Sequence, residues 1–244
     1  MLKPLLQELL GLTGHAFVSK RRFGWDVWKD IKTLLEPTAN PIVFDVGAHT
    51  GETLKMVQRE FPTASIFCFE PDPESFRELE KVVAEFSAPQ LFQAALGDVS
   101  GSFPFFRNAE SMTNSLLPTA PQAKNSEVGA LMLSREKISV PVITIDEFCG
   151  EHSLERIDLL KIDCQGFDLR VLKGANDMLL GGQVGVIQCE AIFDPQYTGQ
   201  GWFYEVLEFL TGHEYALCGI HHAARNSYHE ITFADVLFKR RSGC

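Results

Sequence analysis

The chain has 244 residues, of which 45% are hydrophobic and 22% are charged, and its formal net charge is −10. This length and composition fit a single α/β domain with a well-filled core. The acidic balance, without a long block of lysine or arginine, argues against nucleic acid as a partner. No stretch approaches the roughly 18 apolar residues of a membrane span, so we expect no membrane partner. The six cysteines are scattered without a Cys-x-x-Cys pair, which favours reduced thiols in a cytoplasmic protein.

We predict two regions, a helical lead-in over residues 1–40 and a ligand-binding domain over residues 41–244. Prolines at 37 and 41 end the lead-in before the first strand. The lead-in could cap a pocket or form a contact in a homodimer, and the sequence leaves both open. Its apolar residues recur at helical spacing: Leu5, Leu6, Leu9, Leu10, Ile31, Leu34 and Leu35.

The first strand of the domain, residues 42–46, runs directly into a glycine turn and then a helix. Asp45 interrupts the apolar run near the end of the strand, and glycine lets the backbone that follows approach a ligand closely. A carboxylate beside a bare turn and a helix N-terminus is typical of a nucleotide pocket. The candidate ligand-binding residues here are Asp45, Gly47, Ala48, His49, Thr50 and Gly51.

The glycine spacing indicates what kind of nucleotide this turn suits. It is Gly47-x-x-x-Gly51, not Gly-x-Gly-x-x-Gly, and Ala48 lies where a pyrophosphate needs close approach. We therefore predict a ligand without a pyrophosphate, such as an adenosine that carries a sulfonium amino acid. An ordinary tight turn between strand and helix is the alternative.

The second strand, residues 65–70, ends in Glu70, close to the spacing of about 20 residues at which dinucleotide folds place a ribose-binding carboxylate. Pro71 and Asp72 follow it and are candidate ligand-binding residues together with Glu70, and Asp72 should also cap the next helix. We read residues 90–96 as the third strand. Its end, Ala95, Leu96 and Gly97, is a candidate adenine wall, with a plain turn as the alternative.

Residues 99–142 are the least regular part of the chain. Residues 103–106 and 140–143 predict short extra strands, and Thr144 with Glu147 predicts a capping box. The segment 108–125 is rich in Ser, Thr, Asn and Pro, and a polar loop of this length is often functional. We expect its residues 111–116, including Ser115, to reach over the ligand.

The fourth and fifth strands, residues 156–163 and 184–190, end in Asp163 and Glu190. Because the carboxyl ends of parallel strands form one edge, the acids at strand ends should meet there. Residues 215–220 and 234–238 read as two antiparallel strands joined by a polar loop that holds His221, His222 and His229. The fold class is therefore α/β: a doubly wound, seven-stranded, mostly parallel sheet with strand order 3-2-1-4-5-7-6 and an antiparallel C-terminal hairpin.

From about residue 20 to the end, the chain resembles the FkbM family of S-adenosylmethionine-dependent methyltransferases. The resemblance is carried by five stretches: residues 44–51 (FDVGAHTG), 69–72 (FEPD), 94–98 (AALGD), 143–146 (ITID) and 159–175 (LLKIDCQGFDLRVLKGA). It implies methyl transfer from S-adenosylmethionine to a hydroxyl of a sugar, a polyketide or a related small molecule. It also implies that residues 45–51 hold the amino-acid end, Glu70 the ribose and residues 95–98 the adenine. Gln165 departs from the glutamate that the family usually has there.

A hydroxyl acceptor needs a base, and the residues leave two arrangements open. Asp163 or a histidine of the C-terminal loop (His221 or His222) is the base, or Asp163 and Glu190 share a divalent cation. We assign Asp163, His222 and Glu190 as catalytic candidates, with Asp163 also touching the cofactor, and we assign no metal. The rival functions are a nucleotide- or NAD-binding Rossmann-like enzyme and an inactive protein that binds S-adenosylmethionine.

Overall fold

A computed structural model of the protein describes residues 23–35, 38–86, 89–123 and 129–241. The predicted leucine stripe at residues 5–10 lies outside this part of the chain. Strands in the described part are β1 Ile42–Val46, β2 Ser65–Phe69, β3 Gln90–Phe92, β4 Ala95–Leu96, β5 Gly101–Asn108, β6 Ser134–Ile143, β7 Ile157–Ile162, β8 Val184–Ile192, β9 Tyr215–Arg225 and β10 Ile231–Arg240.

Seven of the strands described form the main sheet, in the order β3-β2-β1-β7-β8-β10-β9. The strands from β3 to β8 pair in parallel, whereas β10 is antiparallel to both of its neighbours. Numbered within this sheet alone, the strands follow the predicted order 3-2-1-4-5-7-6. The strand numbers along the whole described chain differ from that order, because β4, β5 and β6 lie between β3 and β7 in sequence and belong to another sheet. The parallel order brings the carboxyl ends of β1, β2, β7 and β8 to one edge.

The three intervening strands form a second sheet in the order β4-β6-β5, which the sequence did not predict as a sheet. The predicted third strand, residues 90–96, is wrong as one continuous element. Its first part pairs with β2, and then the chain turns at residues 93–94. Ala95 and Leu96 pair instead with Val142 and Ile143, because β6 offers them free backbone partners.

Helices cover the main sheet, and their ends follow sequence signals. Asp72 accepts a hydrogen bond from the backbone N–H of Ser75, which confirms that cap. Thr144 accepts one from the N–H of Glu147, but its own N–H donates to the hydroxyl of Ser100, so only half of the predicted capping box forms. None of the described helices is long and apolar enough to cross a membrane. Their bounds are α1 Val27–Leu35, α2 Glu52–Glu60, α3 Pro73–Val83, α4 Ile145–Glu151, α5 Asp168–Lys173, α6 Asn176–Leu180 and α7 Phe203–Gly212.

Each face of the main sheet carries its own hydrophobic core. Phe44 belongs to one core, where its ring lies 5.4 Å from that of Phe69 and 5.6 Å from that of Phe148. Its neighbour Val43 belongs to the other, together with Ile31 of α1. Burial on both faces explains why the central strands are almost continuously apolar. The polar residues of these strands are therefore confined mainly to the ends, where the candidate site lies.

Candidate active site

A cavity of about 840 Å³ opens at the carboxyl edge of the main sheet. We call its two ends the glycine-turn half, lined by residues 46–49, 52–53, 69–71 and 95–96, and the hairpin half, lined by residues 163–165, 190, 194, 196 and 224–228 and by Thr232, Phe233 and Asp235. Lys161 lies between the halves, and residues 111–114 are part of the roof. The volume is in the range of pockets that bind small molecules and cofactors.

The glycine turn comes very close to the end of β7. Gly47 has φ +77°, and a Cβ on it would collide with the carbonyl oxygen of Asp163. The N–H groups of Gly47 and Ala48 both donate to the carbonyl oxygen of Phe69 at 3.0 Å. Only glycine fits this position, because the turn packs directly against the end of β7, and residues 47–49 of the turn line the cavity.

Glu70 joins the turns that follow β1 and β2. Its two carboxylate oxygens accept hydrogen bonds of 2.8 Å from the backbone N–H groups of His49 and Asp72. The residue lines the cavity although it is only 5% exposed. Burial raises the pKa of its carboxyl group to about 7, against the two backbone hydrogen bonds that favour the charged form. Glu70 therefore lies at the cavity wall, and its contact with a ribose stays a prediction.

Asp45 does not line the cavity, in contrast to its predicted role as a ligand-binding residue. It is 0% exposed and lies behind Lys161, whose Nζ is 3.1 Å from Asp45 Oδ1. The same Nζ is 3.3 Å from the carbonyl oxygen of Gly47 and 3.9 Å from Asp163 Oδ2. Burial opposes the charge on Lys161, but Asp45 and Asp163 outweigh it and raise the pKa of the ammonium group. Sequence reasoning missed this lysine, although one cation in an apolar strand is a usable signal.

Of the four acids expected to meet at this edge, Glu70, Asp163 and Glu190 line the cavity and Asp45 does not, while Asp235 is an acid that the sequence did not predict there. Asp163 follows β7, Glu190 lies in β8 and Asp235 lies in β10, directly opposite Glu190. Burial, with Asp163, Asp168 and Asp235 nearby, raises the pKa of Glu190 well above its ordinary value. Asp168 lies behind them and accepts from the backbone N–H groups of Cys164 and Glu190. Burial and then Asp163 raise the pKa of Asp168 to about 7.

Gln165 connects the two central acids. Its Nε2 donates to Asp163 Oδ1 at 2.9 Å and to Glu190 Oε2 at 3.3 Å. Its Oε1 is 2.9 Å from the hydroxyl of Tyr197, which is also 2.9 Å from the carbonyl oxygen of Thr113 in the roof. The neutral amide therefore supplies hydrogen-bond donors to both carboxylates, in addition to Lys161, which lies 3.9 Å from Asp163 Oδ2.

The roof is tied to both turns beneath it. A 3₁₀ turn, Ser111–Thr113, carries Ser111, whose hydroxyl is 2.9 Å from His49 Nε2. Ser115 donates to the carbonyl oxygen of Gln165 at 2.8 Å. Residues 111–114 and Leu116 line the cavity, the position that the sequence predicted for this loop. Ser115 itself is buried and holds the turn rather than facing the cavity.

Several other predicted ligand-binding residues support the site from behind its wall. Gly51, with φ +88°, is the N-cap of α2, and Asp72 is the N-cap of α3. Gly97 pairs with the backbone of Ile143, and the hydroxyl of Thr50 lies 3.3 Å from His49 Nδ1. The predicted residues that do line the cavity are Gly47, Ala48, His49, Glu70, Pro71, Ala95, Leu96, Asp163 and Glu190.

His222 does not line the cavity, which contradicts its prediction as a candidate base. The hairpin strands are longer than predicted, so His221 and His222 lie within β9 and not in a loop. The side chain of His222 is 63% exposed and its Nδ1 lies 2.7 Å from Asp235 Oδ2. His221 is buried, 3.5 Å from Asp30 Oδ2. Among the described residues, no group of three or more His, Cys, Asp or Glu side chains is arranged to hold a metal ion.

The hairpin half also contains residues that sequence reasoning missed. Asp194, Gln196, Tyr228 and Phe233 all line it. They come from the segment after β8 and from the tip of the β9–β10 hairpin, which are distant from the glycine turn in sequence. No local motif marks them, because only the pairing of β10 with β8 brings the hairpin to the cavity.

The sheet order, the glycine turn and the acids at the strand ends together define a Rossmann-like methyltransferase fold. The chain belongs to the FkbM methyltransferase family, because the model of the Methyltransferase FkbM domain matches residues 45–217. The protein is therefore a methyltransferase by family and fold.

Two curated relatives and one solved structure illustrate the likeness. The chain is 28% identical to the 2-O-methyltransferase NoeI of Sinorhizobium fredii, over 77% of this chain and 78% of NoeI. It is 29% identical to the 31-O-demethyl-FK506 methyltransferase FkbM of Streptomyces tacrolimicus, over 56% of this chain and 60% of that protein, less than two thirds of its length. The METTL16 methyltransferase domain aligns with a TM-score of 0.50 and 9% identity, over 87% of this chain and 65% of that chain, which indicates the fold alone.

Proposed function

We propose that the protein transfers a methyl group from S-adenosylmethionine to a hydroxyl group of a small molecule. The single observation that carries this proposal is the chemistry of the glycine-turn half. There a bare backbone turn at Gly47 lies beside the buried carboxylate of Glu70 and an apolar wall at Ala95 and Leu96. These groups fit an amino-acid end, a ribose and an adenine respectively.

The same half suits a cationic nucleoside better than one with a pyrophosphate. Lys161, which lies between the two halves, is already paired with Asp45, whereas Glu70 in this half and Asp163 in the adjoining hairpin half present carboxylates. A pyrophosphate would be repelled by these acids, but a sulfonium and an ammonium group would be attracted. This favours S-adenosylmethionine over NAD as the cofactor.

Within this proposal the donor supplies an electrophilic methyl group on sulfur, and the residues of the chain orient the acceptor and remove its proton. Alignment of acceptor oxygen and methyl group provides most of the rate enhancement. Glu190 is the favoured base because it lines the cavity beside Asp163, and because burial with the neighbouring acids raises its pKa, which makes its carboxylate a stronger proton acceptor. Gln165 keeps Glu190 and Asp163 at fixed positions. Asp163 lies between the base and the glycine turn.

Transfer to oxygen is supported by the activities that name two of the relatives. NoeI is a 2-O-methyltransferase, and the substrate of the Streptomyces relative carries a 31-O-demethyl position. In this chain, acids and amides line the floor of the hairpin half, where a hydroxyl group can donate and accept hydrogen bonds. We therefore propose O-methylation of a metabolite, with the identity of that metabolite open.

Calorimetric titration tests the cofactor. S-adenosylmethionine and S-adenosylhomocysteine should bind and NAD should not. Ionised Glu70 accepts two ribose hydroxyl protons, whereas the protonated form does not, so binding should strengthen as pH rises through the Glu70 pKa of about 7. The dissociation constant for S-adenosylhomocysteine should fall about tenfold between roughly pH 6 and pH 8.

Glu70→Gln should bind more weakly and lose this pH dependence, since the amide does not titrate. Binding of NAD alone would defeat the methyltransferase proposal, and a pH-independent wild type would defeat the role of Glu70. Methyl transfer to hydroxyl compounds is measured by mass spectrometry. If S-adenosylhomocysteine binds but no hydroxyl compound is methylated, an inactive binding protein is favoured instead.

A further inference from the structure

We propose that the acceptor carries a protonated amine, which the carboxylates of Asp235 and Asp194 hold in the hairpin half beside the reacting hydroxyl. The inference rests on the proposed function, because it names the class of acceptor for the same site. It excludes acceptors whose charge is negative, such as a sugar acid.

The first support is a pair of acids that face each other across two strands. Asp235 in β10 is the direct register partner of Glu190 in β8, and both side chains line the cavity. Like charges at directly opposite positions of a sheet destabilise it. A cation between the two carboxylates would turn this repulsion into attraction. The acid pair is therefore better suited to a bound cation than to an empty or anionic pocket.

The second support is the lack of cations around these acids. Among the described residues that line the hairpin half, the one cationic side chain is Arg225, which is exposed and donates to the carbonyl oxygen of His229 at 2.6 Å. Asp194 Oδ1 accepts from the amide of Gln196 at 3.0 Å. Asp235 Oδ2 is paired with His222 at the outer surface. Each of the three acids has one carboxylate oxygen without a hydrogen-bond partner in the described part of the chain. These atoms are Asp194 Oδ2, Glu190 Oε1 and Asp235 Oδ1.

The third support is a pair of aromatic side chains, Phe233 and Tyr228, that line the same half of the cavity as these acids. Phe233 lies two residues before Asp235 in β10, so both side chains are on the face that lines the cavity. Tyr228 at the hairpin tip is 82% exposed and lines the same half. The faces of aromatic rings attract ammonium groups. Carboxylates and ring faces together form a better environment for an organic cation than either alone.

The sheet also places the amine relative to the reacting centre. Neighbouring strands are about 4.8 Å apart, and Asp163, Glu190 and Asp235 lie on three neighbouring strands, β7, β8 and β10. An amine on Asp235 is thus one strand spacing beyond the proposed base, on the side away from the glycine turn. The amine and the reacting hydroxyl of the acceptor should be separated by only a few bonds.

The test uses three probes with the same ring and different charge: cyclohexylammonium, cyclohexanol and cyclohexanecarboxylate. Each is titrated into the full-length protein saturated with S-adenosylhomocysteine, and binding is followed by calorimetry. The ammonium probe should bind at least about tenfold more tightly than the alcohol, and the carboxylate more weakly than both. Asp235→Asn and Asp194→Asn should each reduce the preference for ammonium. Glu208→Gln, which removes a charge from the exposed side of α7, should leave it unchanged.

Any one of four results would overturn the inference. The alcohol and ammonium probes bind equally, or the carboxylate probe binds more tightly than the ammonium probe. The ammonium probe does not bind detectably, or the preference for ammonium is unchanged in both aspartate variants. Failure of S-adenosylhomocysteine to bind in the first step would instead defeat the proposed function, so the two failures are distinguishable. Retained affinity for S-adenosylhomocysteine in each variant shows that the variant is folded.

Discussion

At the scale of single residues, Gln165 joins several polar groups of the site through hydrogen bonds. It is held in a left-handed conformation with φ +52°, and its amide contacts Asp163, Glu190 and Tyr197. Both N–H groups point at carboxylates, so the reverse orientation of the amide would bring oxygen against oxygen. A glutamate at this position would place a third negative charge between two others. The neutral side chain therefore lets the two acids remain close together, with Lys161 near Asp163 as the neighbouring cation.

We predict that Gln165→Glu lowers the free energy of unfolding at neutral and alkaline pH by about 1–3 kcal/mol. The pKa of the new carboxyl group should be raised in the folded state, because burial and two acids disfavour its charge. A raised folded-state pKa means that the penalty is absent below the unfolded-state pKa and grows as pH rises through the folded-state value. Urea denaturation at several pH values measures this dependence.

Gln165→Met is the matched control, because it keeps a similar length but removes both donors without adding a charge. It should cost a comparable free energy, since Asp163 and Glu190 lose their donors, but the cost should grow less with pH than for the glutamate variant, because no new carboxyl group titrates. Identical pH profiles for the two variants would show that the charge at position 165 does not matter.

At the scale of elements, Arg107 links the second sheet to the glycine-turn half. It lies in β5, and its guanidinium group is 2.8 Å from Asp72, 2.6 Å from Glu74 and 2.6 Å from Glu136. Asp72 is almost fully buried, caps α3 and donates its own N–H to Glu70. The hydrogen bond to Glu74 raises the pKa of Arg107, and Glu136 and Asp72 raise it further. Partial burial opposes this shift. The second sheet thus positions Glu70 through one arginine and one helix cap.

We predict that Arg107→Gln lowers the free energy of unfolding by about 1–3 kcal/mol, because it leaves the buried carboxylate of Asp72 without a cation. It should also weaken the binding of S-adenosylhomocysteine, since Asp72 helps to hold Glu70. Urea denaturation and calorimetry measure the two effects. The control is Arg59→Gln: Arg59 is 64% exposed and pairs with Glu60 on the surface, so its loss should be nearly neutral. Equal effects of the two substitutions would refute the linking role.

The elements that were predicted correctly are those whose signal is local. β1, β2 and the caps at Asp72 and Thr144 follow from short patterns of apolar and capping residues. The break between β3 and β4 was not predicted, because it depends on a backbone partner at Val142 that is remote in sequence. The same distinction applies to the site. Strand ends indicate Glu70, whereas the hairpin wall depends on long-range pairing.

At the scale of the whole molecule, the lead-in is part of the core as far as the structure describes it. Ile31 of α1 is 0% exposed and belongs to the same core as Val186 and Leu237 of the main sheet. Lys239 at the end of β10 donates to the carbonyl oxygen of Leu34 at 2.6 Å. The hairpin that contributes to the cavity is therefore bonded on its other side to α1. Stability of the lead-in helix and stability of the sheet should be coupled.

We predict that Ile31→Ala lowers the free energy of unfolding by about 2–5 kcal/mol, and that Ile31→Val lowers it by about 0.5–1.5 kcal/mol. Unfolding should remain a single transition when followed both by fluorescence and by circular dichroism, because α1 shares its core with the sheet. Leu180→Ala, at an exposed position of α6, is the matched control and should change little. Because the cavity lies at the carboxyl edge and Ile31 does not line it, the folded Ile31→Ala variant should bind S-adenosylhomocysteine with unchanged affinity. An early separate transition for α1, with the rest of the protein unaffected, would show instead that the lead-in is an independent unit resting on the sheet.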